Sequence, residues 1–330
     1  MRPALTVLAL FAAFGLAHAG PIAVNSTPVA SFQNLSSNSQ FGPLAWRGGL
    51  SLESSDADFG GLSGLVLDQN CQHLTAVSDA GRWFTATLAY DGEGHLSGLT
   101  DARLAAMLDG RGKAPRYKRQ ADAEAIAALG QGKYLVGFEN DVRVALYDFG
   151  KGGLKARAQL VKSPKAITEG PPNGEMESLG LLSTGPYKGN YIVISEKNRD
   201  AQDNIRGWIW KSWKTVPFAV QRLEDYDITD LALLPDGDVL TLERSFSSTS
   251  LPGMAIRRFH SSAIAAGAIV KPDTVFAGRV PFYNIDNMEG LALCQRHGEV
   301  RITLVSDNNF NTALQRTLLL QFSFNAAVKP

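Results

Sequence analysis

EGLALCQRHGEVRITLVSD, residues 289–307, begins and ends on an acid and carries an Arg-His-Gly turn at its centre. On one side of the turn Leu291 and Leu293 recur every second position, and on the other Ile302 and Leu304 do the same. That period belongs to β-strands, and the central glycine suits a tight hairpin. Four further segments share the plan: SGLVLDQNCQHLTAVSD (63–79), EAIAALGQGKYLVGFE (124–139), ESLGLLSTGPYKGNYIVISE (177–196) and DLALLPDGDVLTLE (230–243). Their first residues lie 61, 53, 53 and 59 positions apart, room for one four-stranded propeller blade each. Third strands are expected at Trp83–Tyr90, Arg143–Phe149, Gly207–Trp213, Ala255–His260 and Thr317–Phe324, each except the last followed by a more polar fourth segment. The last unit has no room for a fourth strand, so LAWRGGLSLE, residues 44–53, is expected to complete it and close the ring. The fold expected is an all-β propeller of five recognisable blades. A sixth blade from residues 21–60 and a β-sandwich with chance similarity are the alternatives.

The ends of the chain bear on location. Arg2, an apolar run from Ala4 to Leu16 and the small-x-small site Ala17-His18-Ala19 have the layout of a cleaved secretory signal peptide. The domain expectation is therefore a signal peptide over 1–19, an extended lead-in over 20–41 and a single domain over 42–330, in a periplasmic or secreted protein. No later segment is apolar for long enough to span a bilayer. With 32 basic and 32 acidic side chains, the chain has no electrostatic footprint for nucleic acid. A monomer is expected.

Two cysteines, Cys71 and Cys294, fall in the hairpin turns of the first and last units. In a closed five-blade ring these turns are neighbours, and an exported protein keeps a disulfide. Two free buried thiols are the alternative.

In an antiparallel hairpin the start of one strand lies beside the end of the next. The openers Ser63, Glu124, Glu177, Asp230 and Glu289 should therefore meet the closers Asp79, Glu139, Glu196, Glu243 and Asp307 on one rim. Asp122, Glu175 and Asn287 stand two residues before an opener, and Asp227 and Asp286 are near enough to reach the rim. Nine of the ten rim positions are carboxylic acids, too many to stay ionised without protonation, basic partners or a bound cation. Arg82, Arg143, Lys197 and Arg244 are the basic candidates. Oxygen donors without thiolate or imidazole favour Ca²⁺, and less well Mg²⁺, over zinc. Capping of backbone N–H groups at strand ends is the structural alternative for any single acid. His73, His95, His260 and His297 sit away from the rim, which argues against a Ser-His-Asp triad, and no nucleophile elbow, P-loop or dinucleotide fingerprint occurs. Trp208, Trp210 and Trp213 read as blade packing.

Five stretches now carry a family likeness: GGLSGLVLD…LTAVSDAGRW, DAEAIAAL…YLVGFEN, GEMESLGLL…YIVISEK, DITDLALLPDGDVLTLERSF and NMEGLALC…ITLVSDNNFN. Over roughly residues 58–324 the chain resembles the phytase-like family described by an esterase-like activity of phytase. The resemblance implies a propeller-type domain in which the recurring Glu and Asp serve phosphoester or ester hydrolysis. The expectation is a Ca²⁺-dependent hydrolase of a small phosphoester or ester. Metal ligands would come from Asp79, Glu124, Glu139, Glu177, Glu196, Asp230, Glu243, Glu289 and Asp307. Glu177, Glu289, Arg244, Lys197 and Arg82 would act on substrate. Two alternatives stand beside it: a noncatalytic exported binding protein with a structural Ca²⁺, and a single-metal lactonase using Asn140, Asn287 and Asn308.

Overall fold

Turn chemistry sets the hairpins. In the last unit His297 and Gly298 both take positive φ (51° and 79°), the two-residue turn whose twist matches its flanking strands, and Arg296 then pairs with Glu299. A computed structural model describes residues 19–168, 176–247 and 250–328, and its strands form five separate sheets around one axis. The innermost strands are Leu62–Leu67, Ala123–Gly130, Ser178–Leu181, Asp227–Leu233 and Met288–Arg296, one per blade. Each is followed outward by a second, a third and a fourth antiparallel strand. The chain is a five-blade β-propeller. Leu44–Glu53 is the outer strand of blade 5, paired with Thr317–Phe324, so the ring closes as the repeat requires.

Residues 21–60 do not build a sixth blade. Ala19–Pro21 adds to the outer strand of blade 1, Leu96–Ala106, while Asn25–Pro28 and Gln40–Phe41 add to Leu44–Glu53 of blade 5. The lead-in thus clips the first blade to the last, and its Ser- and Pro-rich composition keeps each strand to a few residues. Residues 1–18, which hold nearly all of the expected signal peptide, and Glu175 lie outside the described residues. Among the described residues, no helix is long and apolar enough to cross a membrane.

Each sheet buries both faces, because side chains alternate between the two neighbouring blades. In Thr317–Phe324, Leu318 and Leu320 pack towards blade 4 while Leu319 packs towards blade 1. Five hydrophobic clusters result, one at each blade–blade seam. Trp208 and Trp210 lie in the seam between blades 2 and 3, as packing residues, whereas Trp213 is exposed. Close approach near the axis needs glycine: a Cβ on Gly290 would stand 2.7 Å from the Ser63 carbonyl oxygen, and one on Gly64 would stand 3.0 Å from Ile126. Cys71 and Cys294 form a disulfide across the seam between blades 1 and 5. Cys71 is in the turn; Cys294 lies within the innermost strand, opposite Arg301, because the turn of blade 5 needs only two residues.

Candidate functional site

A β-bulge re-aims the side chains that open several blades. In blade 2, Gly137 pairs with Ala125 and Phe138 with Ala123, so Glu124 is the extra residue. In blade 5, Met288 pairs with Ser306 and Gly290 with Val305, which leaves Glu289 extra in the same way. The unpaired residue of a bulge turns out of the pleat, and here both carboxylates reach the axial mouth. Glu177 immediately precedes the innermost strand of blade 3 and arrives at the same place.

The mouth is a cavity of about 510 Å³ lined by Asp79, Asp122, Glu124, Glu139, Glu177, Glu196, Glu289 and Asp307, with Asn140, Asn309, Lys118, Arg119, Lys197 and Arg244 among them. Two groups of three carboxylates, Asp122–Glu124–Glu139 and Glu139–Glu177–Glu196, each bring one oxygen per residue to within 4.8 Å of the others. At that distance two ionised carboxylates repel by about 3 kcal/mol at an effective dielectric near 20. One member of each group, Glu124 in the first and Glu177 in the second, is pushed towards its protonated form. Burial, then the charges of Glu124, Glu196, Glu289 and Glu139, push the Glu177 carboxyl well above the usual range. Burial and Asp122 do the same to Glu124. Burial pushes Glu289 up to about 8, even though the Arg244 guanidinium opposes it, and burial with the nearby Asp79 pushes Asp307 up to about 7.

The cations are shared. Arg244 donates through Nη2 to Glu196 Oε1 at 2.7 Å and through Nη1 to Asn287 Oδ1 at 2.6 Å and to Glu289 Oε1, tying blades 3, 4 and 5 together. Lys197 pairs with Glu196. Lys118 reaches Asp79 at 2.6 Å and Asp122 at 3.2 Å from the single-turn helix Lys118–Ala121, which leads into blade 2. Asn140 donates to Asp122. Lys118 and Arg119 escape the repeat because they belong to the connection between blades 1 and 2 and not to a repeated strand. A basic pair directly ahead of the acidic opener was the only available signal.

Six residues expected at the mouth or within reach of it are elsewhere. In blade 4 the bulge falls at Thr229, one position early, since Ile228 pairs with Glu243 and Asp230 with Leu242. Asp230 therefore stays in the pleat, where its carboxylate accepts from the N–H groups of Leu231 (2.8 Å) and of Leu291 in blade 5 (2.7 Å). This is the capping role, between blades. Glu243 is fully buried and pairs with Arg257 Nε at 2.7 Å within its own blade. Arg82 turns to Asp58 at 2.6 Å. Arg143 lies over the Phe138 ring in a side groove. Asp227 binds Arg199 and Arg222, and Asp286 faces Arg316. The three amides of the lactonase alternative are engaged separately: Asn140 with Asp122, Asn287 with Arg244 and Glu289, and Asn308 with the N–H groups of Gly61 and Phe310.

Residues 57–310 match the phytase-like family model described as esterase-like activity of phytase. The chain belongs to this family. Among the curated proteins, none matches the chain. Similar solved structures include an alpha-L-arabinofuranosidase from Clostridium thermocellum, 14% identical over 80% of this chain and 94% of that one, with a TM-score of 0.46. A protein of unknown function from Dyadobacter fermentans is 9% identical over 92% of this chain and 99% of that one, with a TM-score of 0.43. The major allergen of Malassezia sympodialis is 11% identical over 86% of this chain and 90% of that one, also with a TM-score of 0.43.

Proposed function

We propose that this phytase-like protein is an exported, metal-assisted hydrolase of phosphoesters or esters, with the axial mouth as its active site. The observation that carries the reading is the pair of carboxylate triads sharing Glu139, in a cavity of small-molecule size. The donor set fits a hard cation: every group is a carboxylate or amide oxygen, no thiolate or imidazole lines the cavity, and the spacing is irregular, which suits Ca²⁺ better than strictly octahedral Mg²⁺. Asp122, Glu124, Glu139, Glu177 and Glu196 would hold it. Such an ion, when bound, neutralises phosphoryl or acyl oxygens and lowers the pKa of water.

The remaining groups supply orientation and proton transfer. Lys118, Lys197 and Arg244 are positioned to bind an anionic group at the rim, and against the burial that opposes its charge Arg244 is held protonated by Glu289, Glu196 and Glu177. Glu289, with its carboxyl near 8, keeps a proton at neutral pH and can donate it to a leaving oxygen. Export agrees with the disulfide, which persists in an oxidising compartment.

A second reading has its own support. Arg244 is already bound to Glu196, Glu289 and Asn287, as it would be if the mouth held only a structural Ca²⁺ in a binding protein. Turnover of p-nitrophenyl phosphate, bis-p-nitrophenyl phosphate and p-nitrophenyl acetate, with and without a calcium chelator, separates the two. Calcium-dependent turnover that is lost in Glu289→Gln is expected. Turnover indifferent to both chelator and substitution sinks the hydrolase reading, and calcium stabilisation without any turnover assigns the binding role.

A further inference from the structure

The mouth face is not uniformly polar. Eleven large apolar side chains are exposed among the described residues, and five of them sit on the mouth-side connections of blades 4 and 5. Phe246 (62% exposed) and Leu251 (57%) are on the hairpin between the second and third strands of blade 4. Phe282 (67%) is on the segment entering blade 5, and Phe310 (43%) and Leu314 (81%) follow its second strand. Isolated exposed apolar residues are ordinary, but a cluster beside a site marks a contact surface.

Two of them, Phe246 and Leu314, line a groove of about 530 Å³, within the roughly 300–1,000 Å³ of small-molecule sites, and the other three are each next in sequence to a lining residue. Phe246, Pro252, Val280, Tyr283 and Leu314 give it apolar walls. The groove continues from the mouth along the chain itself. Arg244 lines the mouth, and Phe246, two residues on, lines the groove. Asn309 and Asn311 divide in the same way, and Asn287, bonded to Arg244, adjoins Asp286 of the groove. A molecule held at Arg244 by an anionic group therefore has apolar wall residues on the adjoining connections of blades 4 and 5.

We propose that the substrate is amphiphilic: a phosphomonoester of an apolar alcohol, with its phosphate at the acidic mouth and its alkyl or aryl group in the Phe246–Leu314 groove. The inference rests on the hydrolase reading and adds the substrate class. Arg244, Lys118 and Lys197, with the cation that the mouth's carboxylates would bind, would hold the head group, and the groove would select the leaving alcohol by the water it displaces from apolar surface.

Calorimetric titration of the calcium-loaded protein with inorganic phosphate and with butyl, hexyl and octyl phosphate tests it. Affinity should rise by about three- to fourfold for each methylene that enters the groove. Phe246→Ser with Leu314→Ser, both at exposed positions, should flatten that rise and leave inorganic phosphate binding unchanged. Affinity blind to chain length, or a rise that survives the double substitution, overturns the inference alone. A protein that binds neither inorganic phosphate nor any alkyl phosphate overturns the phosphoester form of the hydrolase reading and the inference together. Concentration-dependent dimerisation abolished by the same substitutions would give the groove to a second copy of the chain and also overturn it.

Discussion

Replacing Glu177 with glutamine removes one member of a crowded set of acids without changing its size. Burial and four neighbouring carboxylates oppose its charge, so in chelator at pH 8 the substitution should raise stability, by about 1–3 kcal/mol on the Coulomb scale of such pairs. Calcium affinity should fall by at least about tenfold, the loss typical of even an outer-shell partner. Asp230, which opens the next blade in the repeat, should behave in the opposite way. Its carboxylate holds two backbone N–H groups, one of them in blade 5. Asp230→Ala strands buried donors and should cost about 1–3 kcal/mol while calcium affinity stays unchanged. Denaturant melts with and without calcium read both variants, and equal behaviour of the two would deny that blades 3 and 4 use their opening acids differently.

At the scale of strands, the repeat made the hairpins, the third strands, the closing strand Leu44–Glu53 and the Cys71–Cys294 pairing legible, because each follows from period and spacing. What it could not show was the bulge. Glu124, Asp230 and Glu289 are the acids that open their segments, but the extra residue is Glu124 in blade 2, Glu289 in blade 5 and Thr229 in blade 4. A shift of one position moves a side chain from the axis to a neighbouring blade, and its one trace in the sequence is that Leu231 directly follows Asp230, whereas Ile126 and Leu291 stand two residues after Glu124 and Glu289. Lys118 was hidden for a different reason: it belongs to an irregular connection rather than to a repeated strand. The seam between blades 1 and 5 yields a prediction at this scale. The disulfide spans 223 residues, which on the chain-entropy model corresponds to about 5 kcal/mol. Pairing of Leu44–Glu53 and of the lead-in strands restrains the same seam, so a Cys71→Ser, Cys294→Ser protein should remain folded and lose about 2–4 kcal/mol. A loss near zero in denaturant melts would show that strand pairing alone fixes the ring.

For the whole molecule, the convergence of five blades on one axis should make stability depend on pH and, on the proposed reading, on calcium. Free Glu and Asp titrate near 4, whereas folded Glu289 titrates near 8 and Asp307 near 7, chiefly because both are buried. Between those limits the folded chain keeps protons that the unfolded chain has released, so stability must fall as pH rises. The contribution is fully present below about pH 4 and gone above about pH 8. In chelator, the unfolding free energy should therefore decline by a few kcal/mol across that window, against the common pattern in which ion-paired carboxylates make proteins more stable as pH rises from acid. Calcium held at the mouth as proposed would reverse the slope, because the ion would take deprotonated carboxylates that repel one another without it, and binding to the folded state alone adds stability in proportion to the logarithm of the ion's concentration. Thermal melts at pH 5 and pH 8, each with chelator and with millimolar calcium, should thus show a small calcium effect at pH 5 and a large one at pH 8. A calcium effect of equal size at both values would mean that the mouth carboxylates are not the groups that bind it.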